Sequence, residues 1–145
     1  MRAKEMLVAA AVTAALCAAP QTAAATVCGT TADQWLGTFT GTVQYDNSSA
    51  TYDLRVVVDR GGPNGLTVLT TGGTDTYEPR DEHTVIDSGT LDWYGVADSG
   101  AWHYFNTKAA TCSGDTVANF SGRKRVPWAG AGWFYYGDFQ LTRVG

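Results

Sequence analysis

Apolar and polar side chains alternate with a period of two along most of this chain, in short runs broken by glycine-rich turns. That pattern leaves room for strands and almost none for helices. In a first run Trp35, Phe39, Val43 and Tyr45 share one parity, while Thr38, Thr40, Thr42 and Gln44 take the other. After the turn Asp46-Asn47-Ser48-Ser49, a second run from Thr51 to Asp59 sets Tyr52, Leu54, Val56 and Val58 against polar neighbours, so the two pair as an antiparallel hairpin. Similar runs cover 66–71, 74–77, 82–87, 90–96, 101–107, 116–124 and 133–143. The turns between them, such as Gly61-Gly62-Pro63-Asn64-Gly65, Gly72-Gly73, Ser88-Gly89 and Ser113-Gly114-Asp115, are too short for helical crossovers. The expected fold is therefore all-β: an antiparallel meander closed as a small up-and-down barrel of about eight strands, with a β-sandwich as the alternative that also hides the sheet edges.

Residues 1–25 read differently. Met1-Arg2-Ala3-Lys4 is a basic start, an apolar stretch from Met6 to Leu16 follows, and Ala23-Ala24-Ala25 supplies small side chains before a cut. This is the pattern of a cleavable export signal, and the stretch is shorter than the ~20 apolar residues that span a bilayer. The expected organisation is a signal peptide over 1–25 and one secreted domain over 26–145, large enough for a single core. Removing Cys17 with the leader leaves Cys28 and Cys112, which an oxidising compartment couples; the bridge is expected to join the N-terminal lead to a late loop. The Ala-, Gly- and Thr-rich style fits a bacterial exported protein.

Charge works by exclusion. The part after residue 25 carries eight Lys and Arg against thirteen Asp and Glu, which disfavours nucleic acid and anionic membrane as partners. The basic cluster Arg123-Lys124-Arg125 is expected to be a solvated loop entrance, with a specific anion site as the alternative.

The segment Trp35-Leu36-Gly37-Thr38-Phe39-Thr40-Gly41, together with Gly137-Asp138-Phe139-Gln140-Leu141-Thr142-Arg143 at the end of the chain, resembles the calycin group of up-and-down barrels. That group includes lipocalins, avidins and small bacterial metalloprotease inhibitors. The resemblance implies a barrel whose first-strand tryptophan, Trp35, is covered by a basic residue of the last strand, Arg143, closing one end.

Five Trp, seven Tyr and five Phe fall after residue 25, several as neighbours in a run. Neighbours in a strand point to opposite faces, so these rings cannot all enter one core; some are expected on the surface or around a cavity. The candidate binding residues are Trp128, Trp133 and Tyr135, from a glycine-rich loop and the start of the last strand, and Trp102, His103 and Tyr104. His103 is a candidate ligand donor in an aromatic pocket, the alternative being a half-exposed strand residue.

Catalytic chemistry has little to build on. His83 shares strand parity with Asp81 and Asp87, which allows a general base beside a carboxylate or a weak cation site, but the bland alternative is a solvated acidic turn. Neither histidine has zinc-site spacing, no serine sits in a nucleophile elbow and no glycine loop precedes a helix, so no metal and no cofactor is expected. The favoured expectation is a monomeric secreted binding module, an inhibitor of an extracellular enzyme or a captor of a small ligand or glycan. The alternative is a small extracellular hydrolase using His83 or His103 with Asp81, Asp87 or Asp92.

Overall fold

Nine strands run as β1 Gly37–Tyr45, β2 Thr51–Arg60, β3 Leu66–Gly72, β4 Asp75–Pro79, β5 Val85–Asp87, β6 Thr90–Val96, β7 Trp102–Ser113, β8 Thr116–Pro127 and β9 Phe134–Arg143. The computed structural model describes residues 27–127 and 134–145. The expected signal segment therefore lies outside the described residues. Every pairing is antiparallel, in the order β4-β3-β2-β1-β9-β8-β7-β6-β5, and β4 also pairs with β6. The first and last strands are thus neighbours, and the β4–β6 seam, Glu78 opposite Val96 and Pro79 opposite Gly95, closes an eight-stranded barrel. Strand β5 is extra, pairing with the part of β6 that β4 leaves open. Barrel and alternating pattern agree, and the sandwich is set aside.

Alternation fills the interior in layers. At one end Trp35, Phe39 and Phe120 meet edge to face, with Phe120 5.1 Å from Trp35 and 4.9 Å from Phe39. Above them Trp93 stacks on Phe105 at 4.8 Å, and Phe139 packs edge-on against both. Val43, Leu54, Val56, Val58, Leu66, Val68, Leu91 and Leu141 complete the wall, all buried. Each such side chain contributes roughly 1.5–3 kcal/mol by leaving water. The one indole nitrogen in the middle layer is satisfied, because Trp93 Nε1 donates to Thr70 Oγ1 at 2.9 Å.

Three local expectations are corrected. Trp35 does not belong to the first strand: it ends a helical turn, α1 Ala32–Trp35, whose start is held by Gln34 Oε1 accepting from the Thr31 amide at 3.1 Å. A single capped turn is too short to show a helical period. The run 82–87 is not one strand, since Asp81–His83 form a 3₁₀ turn before β5. There Asn64 Nδ2 donates to the Thr84 carbonyl at 2.9 Å and Asp81 Oδ1 accepts from the Val68 amide at 3.2 Å, tying the turn to β3. Strand β7 is longer than the sequence run, because two register shifts, between Thr107 and Ala109 and between Thr111 and Cys112, let it continue to Ser113. Cys112 is accordingly in a strand and not in a late loop.

The Cys28–Cys112 disulfide forms, with Cα atoms 5.6 Å apart. It belongs to the closed end, where Trp35 Nε1 donates to the Gly29 carbonyl at 2.8 Å. Arg143 closes the same end. Its guanidinium lies 4.7 Å over the ring of Phe39 and donates to the carbonyls of Leu36 at 2.6 Å, Gln34 at 3.1 Å and Val117, through Nε, at 2.7 Å. The ring it covers is Phe39, and its link to the Trp35 segment runs through backbone carbonyls on either side of the tryptophan.

Candidate functional site

The opposite end of the barrel is where polar chemistry enters the core. Strand parity sends Tyr45 from β1, Tyr77 from β4, His103 from β7, Lys124 and Val126 from β8 and Tyr135 from β9 toward the barrel axis. Tyr45, Tyr52, His103, Val126 and Tyr135, with Asn47 and Ser48 of the β1–β2 turn, line a cavity of about 470 Å³ at this mouth. A second bay of about 300 Å³ shares Tyr45 and Tyr52 and reaches Tyr77, Lys124, Asp53 and Asp75. The Tyr45 and Tyr52 rings, 5.7 Å apart, border both.

Lys124 is the residue that sequence reasoning misplaced. It is 1% exposed, not solvated, while its neighbours Arg123 and Arg125 are on the outer face. Its Nζ donates to the Tyr45 hydroxyl at 2.7 Å and the Tyr77 hydroxyl at 3.3 Å, and lies 5.0–5.3 Å from the ring centroids of Tyr45, Tyr77 and Phe105. Ring faces and phenol oxygens replace part of the lost hydration of the ammonium. Among the described residues no carboxylate pairs with it. Burial lowers its pKa to about 8, against the longer-range pull of Asp75. The same burial raises the Tyr45 and Tyr77 phenols above their usual range, so both stay protonated.

His103 is buried, 8% exposed, so the half-exposed alternative is set aside. Its ring lies 4.5 Å from that of Tyr77. Burial, then the nearby Lys124 charge, lowers its pKa to about 3, which keeps the imidazole neutral. Among the described residues its Nδ1 is buried without a hydrogen-bond partner, an arrangement that costs free energy unless something supplies one.

The sequence candidates divide between two faces. His103 and Tyr135 line the mouth. Trp102 and Tyr104 take the opposite parity of β7 and face outward, where Tyr104 packs edge to face on Tyr94 at 4.7 Å under the Arg125 guanidinium, and Arg80 covers Trp102. These outer rings form a cross-strand ladder that stabilises the sheet. Trp128 and Trp133 lie outside the described residues. His83 sits on the 3₁₀ turn, half exposed, with Glu82 3.9 Å away, and the strand parity inferred with Asp81 and Asp87 does not apply to it. Asp81 and Asp92 instead hold backbone amides, those of Val68 and Thr107, and Asp87 accepts from the Ser88 hydroxyl. Among the described residues there is no group of three His, Cys, Asp or Glu able to hold a metal ion, and no helix is long and apolar enough to cross a membrane.

No family model, curated protein or solved structure is significantly similar to the chain.

Proposed function

We propose that this chain is an exported binding protein that captures a small molecule in the mouth of its barrel. The observation that carries the reading is the concave aromatic mouth over a buried His103 whose Nδ1 lacks a partner. Ligand sites are typically cavities of this size, mostly apolar, with a few convergent polar groups. Export fits the leader over 1–25 and the disulfide, which forms and persists in oxidising compartments. The calycin group remains the family reading: a barrel pairing its first and last strands, a tryptophan turn ahead of β1 and an arginine on β9 all accord with it. Capture of a small ligand is favoured over inhibition of an enzyme, because the built polar chemistry faces into a concavity. It is favoured over hydrolysis because among the described residues no carboxylate orients the neutral His103, and a general base uses such a second group.

Titration of the purified chain with the neutral fluorophore N-phenyl-1-naphthylamine tests this. The expected result is saturable 1:1 binding, weakened about tenfold or more by Val126→Trp, which fills the mouth, with the far-ultraviolet circular dichroism and cooperative thermal unfolding retained. Binding that is absent, or indifferent to Val126→Trp in a folded variant, overturns the reading.

A further inference from the structure

We infer that the ligand is a small organic anion with an apolar, ring-sized body, its acid group received in the smaller bay beside the mouth by Lys124 with the hydroxyls of Tyr45 and Tyr77. The inference rests on the mouth being the binding site proposed above and names what that site selects.

A lysine ammonium has three donors and no acceptor. Two of the three go to the oxygens of Tyr45 and Tyr77, leaving one. Each phenol, by accepting from the ammonium, keeps its own proton available. Among the described residues neither hydroxyl donates a hydrogen bond. Two phenol O–H groups and one ammonium N–H therefore converge with no acceptor among them. A buried cation without a carboxylate is costly, and an incoming oxyanion supplies both the missing charge and the missing acceptor. Apolar surface of the ligand body fits the larger bay, whose lining of Tyr45, Tyr52, Val126 and Tyr135 carries no formal charge. His103 completes that lining as a neutral polar contact through its unpartnered Nδ1.

The charged and titratable groups around Lys124 come from four strands: Tyr45 on β1, Tyr52 and Asp53 on β2, Asp75 and Tyr77 on β4 and His103 on β7. Asp75, inward on the rim, attracts Lys124 at longer range and opposes an anion. Removing it is expected to strengthen anion binding, whereas a merely structural lysine predicts no such gain.

The experiment compares two probes that share a ring system: N-phenyl-1-naphthylamine, neutral, and 1-anilinonaphthalene-8-sulfonate, which adds one acid group. At pH 7 the sulfonate is expected to bind 1:1 and about ten- to hundredfold tighter, the range for a charge-assisted hydrogen bond in a desolvated site. Lys124→Met is expected to abolish that preference, so that the two probes bind alike, and Asp75→Asn to increase it. For the unmodified chain, sulfonate affinity is expected to fall as pH rises through about 8, where Lys124 loses its proton, while the neutral probe stays flat over that range. This pH profile needs no variant, so a failure of Lys124→Met to fold leaves the inference falsifiable. Neutral-probe binding with no sulfonate preference, or a preference indifferent to Lys124 and to pH, overturns the anion assignment and leaves the mouth as a site. Binding of neither probe overturns both.

Discussion

Lys124 is buried as a cation, so its proton is coupled to folding. Its folded pKa, about 8, lies below the usual 10.5, and between those values the unfolded chain holds more protons than the folded one. Stability therefore rises with pH from about 8 upward, until Tyr45 and Tyr77, whose folded pKa values are raised, begin to reverse the trend above about 10. The burden relieved is about 3 kcal/mol on this shift. Urea unfolding of Lys124→Met is expected to show a stability gain of about 1–3 kcal/mol at pH 7 and loss of the rise between pH 8 and 10. His103 acts at the other limb with the same sign. Its folded pKa is depressed to about 3, so its contribution is fully present above 6.5 and is lost as pH falls toward 3. His103→Phe is expected to flatten the stability loss between pH 6.5 and 4, measured as the difference from the unmodified chain. Strand parity applied to Arg123-Lys124-Arg125 places the middle residue on the inner face, yet three adjacent cations look like solvated surface, because side-chain type outweighs parity unless the rings waiting opposite are known. Tyr45 and Tyr77, far away in sequence, are what make the position tenable.

Strands are legible in this chain because each buries one face, and the alternation survives in nearly every run. Where it misleads, particular hydrogen bonds have outcompeted it: the Thr31–Gln34 cap turns the Trp35 segment helical, and the longer-range Asn64 and Asp81 contacts hold a 3₁₀ turn where a strand was expected. The seams between strands impose a separate requirement, for glycine. At Gly41, on the β1–β9 seam, an added Cβ would lie 1.8 Å from the Gln140 carbonyl oxygen, whereas at Gly114, in the β7–β8 turn at φ +59°, nothing lies within 4 Å. Gly41→Ala is accordingly expected to lower stability by more than about 3 kcal/mol or to prevent folding, because backbone must move. Gly114→Ala carries only the left-handed backbone strain of about 1–2 kcal/mol. Thermal unfolding of the two variants measures the contrast.

At the scale of the whole molecule the two ends of the barrel divide the work. The closed end is a structural assembly of Trp35, Arg143 and the Cys28–Cys112 bridge, which joins residues 84 positions apart. On the chain-entropy model, closing so long a loop stabilises the fold by about 4–5 kcal/mol, so the Cys28→Ser, Cys112→Ser double variant is expected to lose stability of that order in urea while keeping its mouth. The even cysteine count after residue 25 made the pair legible; its strand position was not, because bulges leave no mark in a period-two pattern. The open end gathers Tyr45, Tyr52, Tyr77, His103, Lys124 and Tyr135 from six strands, an assembly that no local motif spells. That the mouth holds a ligand is tested most directly by the imidazole resonances of the two histidines, assigned with His83→Gln, during titration with N-phenyl-1-naphthylamine. The His103 ring signals are expected to shift to saturation at one equivalent while those of His83, on the outer 3₁₀ turn, stay in place; unmoved His103 signals at saturating probe would contradict capture in the mouth.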